Sequence, residues 1–207
     1  MSRVVLNCTM SLDGFMAGPD IGVEHPMGRG GLRLHEWIFN ASTNDVDTAV
    51  AREVSASTGA VVLGRRTFDV GVGVWQDTPF PVPCFVLTHT PRSRLAMKSG
   101  SFTFLTGDVS SALREAQAAA DGKDVTLMGA DIARQALRAG LLDEINLQIA
   151  PVLMGEGRRL FDQLGTEHIE LERTRLLASP HVTHLRFRVT HARDAPSDSA
   201  PAQGLDG

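Results

Sequence analysis

Ala60-Val61-Val62-Leu63-Gly64-Arg65-Arg66-Thr67 decides how this chain is read. A short apolar run closed by glycine reads as a buried strand feeding a sharp turn. Behind the glycine come two guanidinium groups, a hydroxyl and backbone N–H groups. Ligands of open α/β sheets collect at the carboxyl ends of the strands, where such groups meet. Arginine suits a phosphomonoester because its fork donates bidentately. Taken alone, the same stretch is equally an ordinary helix start with solvated arginines.

Two further stretches repeat the pattern. Leu87-Thr88-His89-Thr90-Pro91-Arg92 ends an apolar run over about 83–88 with hydroxyls, an imidazole and a nearby cation. Met128-Gly129-Ala130-Asp131 follows the run Val125–Met128, and its glycine permits close backbone approach at a helix start. Each has a plain alternative: a surface turn before Pro91, and a tight strand-to-helix turn at Gly129. Together the three junctions describe a dinucleotide lying across a sheet edge. The single-loop GxGxxG fingerprint is absent, so a standard Rossmann site is not expected.

The rest of the chain supplies the frame. Val4, Leu6, Cys8 and Met10 alternate with Val5, Asn7 and Thr9 as a first buried strand. Ser11-Leu12-Asp13-Gly14 follows, and Asp13 is a candidate catalytic or binding carboxylate or simply a turn residue. Glycines and prolines over 18–34 predict a long loop. Asn44 or Asp45 can cap a helix over about 45–57, with Asp45 and Asp47 as cap and dipole partner in the plain reading. Phe102–Leu105 is another short strand. Asp108 caps a helix with Val109, Leu113, Ala116 and Ala120 on one face, and Asp131 caps one that runs to Gly140.

Beyond that point longer strands take over. Ile145, Leu147 and Ile149 share a face, and Pro151 ends their run. Residues 168–178 and 182–190 read as an antiparallel pair with Leu185, Phe187 and Val189 inward. His181 and His184 fall on opposite faces of a strand, so no metal site is expected there. Residues 192–207 bury too little to order. Strand–helix alternation followed by strands predicts one α/β domain over residues 1–191, with a mixed sheet and helices on its faces.

The 207 residues are 43% hydrophobic and 21% charged, with a net charge of −4. That is an ordinary globular balance, and it argues against nucleic acid or an anionic membrane as partner. No run is apolar and long enough for a signal-peptide core or a membrane span, so a cytoplasmic location is expected. Cys8 and Cys84 read as buried free thiols, and no CxxC or Cys/His spacing suggests a metal.

In their order and spacing these motifs resemble the dihydrofolate-reductase-like superfamily. Ala150-Pro151-Val152-Leu153-Met154-Gly155-Glu156-Gly157 completes the set. Within that superfamily the chain looks most similar to the C-terminal reductase domain of the riboflavin-biosynthesis deaminase–reductase and its stand-alone bacterial homologues, over about residues 2–190. The resemblance implies a three-layer fold, with a mixed, mostly parallel sheet of about eight strands between helices. It implies NADPH as cofactor. Gly64, Arg65, Arg66 and Thr67 match the turn at the pyrophosphate and the adenosine 2′-phosphate, and Thr88 and His89 the segment beside the adenosine. Gly129, Ala130, Asp131 and Ile132 match the turn beneath the pyrophosphate, and Thr9, Ala17 and Gly18 the strand and loop beside the nicotinamide. Arg92 is a further candidate cation.

The family usually has two adjacent glycines at the third junction, where this chain has Gly129-Ala130. The zinc-deaminase signature (HxE with PCxxC) is absent, so only the reductive half of that pathway step is expected. The implied reaction is hydride transfer to a C=N bond of a small heterocycle, with Asp13, Asp47 or water giving the proton. Glu156 and the Gly155–Gly157 turn could line the substrate end. A substrate phosphate would need Arg29, Arg33, Arg158 or Arg159. A pteridine substrate and a non-catalytic ligand-binding role stay open as alternatives, and the apolar region Leu141–Leu153 suggests edge pairing in a homodimer.

Overall fold

In chain order the elements are β1 (Val4–Ser11), β2 (Phe15–Ala17), a 3₁₀ turn (Gly31–His35), α1 (Glu36–Phe39), α2 (Asp45–Ser57), β3 (Thr58–Gly64) and α3 (Arg65–Trp75). Then come β4 (Pro83–Leu87), β5 (Leu95–Ala96), β6 (Ser101–Leu105), α4 (Val109–Ala119), β7 (Asp124–Met128) and α5 (Ala130–Arg138). The last are β8 (Glu144–Ala150), β9 (Arg158–Arg159), β10 (Leu171–Ala178) and β11 (Thr183–Val189). The computed structural model describes residues 2–39, 45–166 and 168–190. The expectations at Asn44 and over 192–207 lie outside them.

β3 is buried at every residue but its last, because parallel neighbours β7 and β4 flank it and helices cover both faces. A strand with two covered faces carries a continuous apolar run, which is why Ala60–Leu63 shows no alternation. The sheet has nine strands in the order β10-β11-β8-β1-β7-β3-β4-β6-β5, and β2 pairs with β9 in a separate ribbon. β10, β11 and β5 are antiparallel to their neighbours, and the central strands are parallel. The expected eight strands become nine because Leu95–Ala96, too short to show a period, adds an edge.

One face packs on α4 and α5: Val4, Leu6, Val62, Leu127, Ile145 and Leu147 meet Leu113, Ala116, Ala133 and Ala136. The other face divides. Under α3 it is apolar and aromatic: Val61, Leu63, Val86 and Phe102 close on Phe68. Under α1 and α2 it carries Asn7, Thr9, Asn146, Gln148, His184 and Arg186, with only a small cluster of Trp37, Val50 and Val182.

Three local expectations are corrected. Gly129, with φ 100° and ψ 141°, occupies the N-cap of α5, and Asp131 sits in its first turn instead of capping it. The long loop after Gly18 gives way at Gly31 to the 3₁₀ turn. β8 lies inside the sheet between β1 and β11, so the Leu141–Leu153 region offers no free edge for a second subunit. The Asp108 cap forms, its carboxylate accepting from Ser111 N at 2.7 Å. Both cysteines are free and buried, which pushes their thiols up to about 12. Among the described residues no helix is long and apolar enough to cross a membrane.

Candidate active site at the carboxyl edge of the sheet

β1 sets the geometry of the site. It pairs with β8 from Val5 to Ser11, but with β7 only from Val4 to Leu6. From Asn7 onward it makes no ladder pairing with β7, which ends at Met128, and β1 runs on past it to Ser11. The sheet therefore splits toward its carboxyl edge, and the split opens where β7 turns through Gly129 into α5. Open α/β sheets take ligands at such a crevice.

The three junctions line this edge. Leu63 is level with Met128, and Gly64 with Leu87. A Cβ on Gly129 would stand 2.6 Å from Thr67 Oγ1, so the first and third junctions touch. Positive φ at Gly129 is open to glycine and costly for other residues. Neither α3 nor α5 has a side-chain cap, which leaves first-turn N–H groups for an anion. Ala130 is already helical and buried, and Ile132 packs its side chain into the core; each contributes only backbone here.

The cations differ in availability. Arg65 Nε donates to both carboxylate oxygens of Asp69 at 2.8 Å, so its charge is matched within α3. Arg66 is exposed and forms no ion pair among the described residues. Arg92 lies 5.5 Å from the Phe68 ring and 4.8 Å from the Phe104 ring, which holds it against α3. Thr88 is buried and donates its N–H to Leu105 O at 2.9 Å, whereas His89 is exposed.

On the other flank, Asp13 fastens the 151–157 loop. Its carboxylate accepts from Ser11 Oγ at 2.5 Å, Met154 N at 3.1 Å and Gly155 N at 2.8 Å. These bonds, the Ser11 hydroxyl first, hold its pKa down to about 2. The ribbon of β2 and β9 crosses beside it. Arg158 reaches Asp131 at 2.5 Å, a carboxylate that also pairs with the buried Arg134. Arg159 donates to Asp13 O at 2.9 Å and lies 4.3 Å over the Phe15 ring. Arg29 pairs with Asp20 and Arg33 with Glu36. Ala17 belongs to the ribbon, and Gly18 donates its N–H to Met27 O at 2.9 Å. A Cβ on Gly18 would strike Arg29 O at 1.9 Å, so the loop closes back on that glycine.

Asp47 is placed differently from the other candidates. It is 0% exposed, 2.8 Å from His184 Nε2, and accepts from Ser179 Oγ at 3.0 Å. Trp37 packs edge-on against His184 and donates its indole N–H to Thr9 Oγ1 at 3.0 Å. Trp37, Ser179 and His184 were not legible as members of one cluster. The signal present in the sequence is weak: His184 alternates with the inward Leu185, Phe187 and Val189, and so reads as facing away from the core until α1 and α2 are known to cover that face.

Residues 2–185 match the family model described as RibD C-terminal domain. A protein provisionally named for riboflavin biosynthesis, from Shewanella sp. PV-4, superposes with a TM-score of 0.70 at 20% identity, over 92% of this chain and 100% of that one. A pyrimidine reductase-like protein from Corynebacterium diphtheriae gives 0.62 at 14% identity, over 92% of both chains. The Thermotoga maritima diaminohydroxyphosphoribosylaminopyrimidine deaminase/5-amino-6-(5-phosphoribosylamino)uracil reductase gives 0.57 at 16% identity, over 91% of this chain and 57% of that one. The chain thus spans little more than half of that two-activity protein. Among curated proteins none matches significantly.

Proposed function

The chain belongs to the RibD C-terminal domain family, and from that premise we propose that it is an NADPH-dependent reductase of a small heterocycle. The observation that carries this reading is the convergence of three loop junctions on one edge, beside a split in the sheet. The residues present suit a dinucleotide. Two uncapped helix starts and the Gly129 turn can take a pyrophosphate, and Arg66 and Arg92 suit the extra 2′-phosphate that separates NADPH from NADH.

When bound, NADPH would supply a hydride to the carbon of a C=N bond. The protein's part is to orient and to exclude water. In this reading Thr9 and the stretch of β1 beyond its ladder with β7 form one wall of the split. The ribbon and the 151–157 loop, tied down by Asp13 and Arg158, close the far end. With its pKa near 2, Asp13 is ionised at neutral pH and has no proton to give. Asp47 is fully buried against His184 and Ser179, which leaves water as the proton source in this reading. The substrate most in keeping with the family is the ribosylamino-pyrimidine imine, whose phosphate would meet Arg158 or Arg159.

Fluorescence titration with NADPH and NADH tests the cofactor. NADPH should bind saturably and at least about tenfold tighter than NADH, the difference expected of a charge-assisted phosphate contact. Arg66→Gln should erase most of that preference. Absence of saturable NADPH binding overturns the reading.

A further inference from the structure

Thr9 stands on β1 beyond its ladder with β7, which ends at Met128, and is still paired with Gln148 of β8. Its Oγ1 accepts from Trp37 Nε1 at 3.0 Å. An indole N–H only donates, so the hydroxyl proton of Thr9 is left for a second partner. Among the described residues it has none.

Trp37 is itself held in place. Its ring meets the His184 ring edge-on, with centroids 5.1 Å apart and planes at 81°. His184 Nε2 lies 2.8 Å from Asp47 Oδ1, and Ser179 Oγ donates to the other carboxylate oxygen at 3.0 Å. A carboxylate accepts, so Asp47 fixes the tautomer with hydrogen on Nε2 and, with it, the ring plane. Nδ1 of His184 is buried without a partner. A crevice of about 20 Å³, which His184 lines with Asn146, Gln148 and Arg186 on one side and Val50 and Val54 on the other, is the size of one water. Asp47, Trp37, His184 and Thr9 are each at least 94% buried, so bulk solvent does not compete for these bonds.

We propose that Asp47, His184 and Trp37 are positioning residues that together present the Thr9 hydroxyl proton to an acceptor on the ligand's ring in the split. This rests on the reading of the split as an NADPH site, where the acceptor is the carboxamide oxygen of the nicotinamide. Asp47 acts through His184 and Trp37 without touching the ligand, which fits its complete burial. Thr9 is then a specificity-determining donor, favouring a ring with a carbonyl oxygen at that place.

Two probes separate this from a merely structural cluster: NADPH, and adenosine 2′,5′-bisphosphate, which keeps the adenosine phosphates and lacks the nicotinamide. Thr9→Val preserves shape and removes the hydroxyl. It should weaken NADPH about fivefold, the worth of one neutral hydrogen bond, and leave the bisphosphate unchanged. Thr9→Ser should restore NADPH affinity to within about twofold. Trp37→Phe and His184→Gln, checked as folded by thermal denaturation, should show the same selective loss at about two- to threefold. If the wild type binds both probes and Thr9→Val weakens neither, or both alike, the positioning role is wrong and the cofactor reading survives. If the wild type binds neither probe, both fall.

Discussion

The face of the sheet beneath α2 and α3 is two surfaces with opposite chemistry. Under α3, across β3, β4 and β6, it is dry: Phe68 meets Phe102 and Phe104 at 5.0 Å in edge-to-face contacts, over Val61, Leu63 and Val86. Under α1 and α2, across β1, β8 and β11, polar side chains fill the same level of the fold. Asn7 bonds Asn146, Asp47 pairs with His184, and Glu53 takes Arg175 and Arg186 at 2.5 Å each. The dry half gains its stability from apolar area and shape, which are non-directional. The wet half gives up some of that gain, since buried polar groups only recover their desolvation cost when paired. What it obtains instead is direction, since each of these hydrogen bonds fixes the orientation of both its partners.

The comparison predicts two different failures. Phe102→Ala should cost about 3–5 kcal/mol in denaturant unfolding, because the hole it leaves is walled by stiff rings and strands. No single second substitution elsewhere should recover it. His184→Leu should cost about 3 kcal/mol at neutral pH, since it takes one hydrogen-bond partner from the fully buried Asp47 carboxylate. Here a second change should repair much of the loss: Asp47→Leu combined with His184→Leu removes the charge with its partner. If the double variant is no better than the single one, the wet half is held by shape, and the distinction drawn here is wrong.

How far the sequence could be read follows the same line. The dry half was legible, because a continuous apolar run such as Val61–Leu63 or Cys84–Leu87 has one common meaning. The three junctions were legible too, since glycine after an apolar run fixes where the chain turns, and the register then sets Gly64 level with Leu87. The wet half was not. Asp47, Ser179 and His184 are separated by more than 130 residues from first to last, and polar residues in a strand read as solvent-facing unless the covering helix is known. The short β5 and the ribbon of β2 and β9 escaped for a simpler reason: two or three residues carry no period. The β1–β7 split was also out of reach, because pairing length is a property of the twisted sheet, not of either strand's sequence.

At the rim of the wet half, Asp13 offers a smaller and pH-tunable test. Its folded pKa, about 2, is below the unfolded value of about 3.9. A depressed carboxylate contributes stability that is present above the unfolded pKa and is lost as pH falls through the folded one. Wild type should therefore exceed Asp13→Asn in stability at pH 7, and the gap should close between about pH 4 and pH 2. A constant gap across that window would show that the loop bonds are worth the same to an amide, and that the charge does not matter.

The smallest effect is expected at the seam, where β7 ends and α5 begins beside the split. The resemblance set two adjacent glycines as the expectation at this place, and the chain has Gly129-Ala130. Only the first needs to be glycine: its φ of 100° is strained for any side chain, and its missing Cβ makes room for the Thr67 hydroxyl. Ala130 is in ordinary helical geometry with its methyl in the apolar core under α4 and α5. Ala130→Gly should accordingly cost at most about 1 kcal/mol, through lost helix propensity and buried area, and leave NADPH affinity within about twofold. A gain of fivefold or more in affinity would mean that the methyl obstructs the pyrophosphate, and that this chain has traded cofactor affinity for packing at the seam.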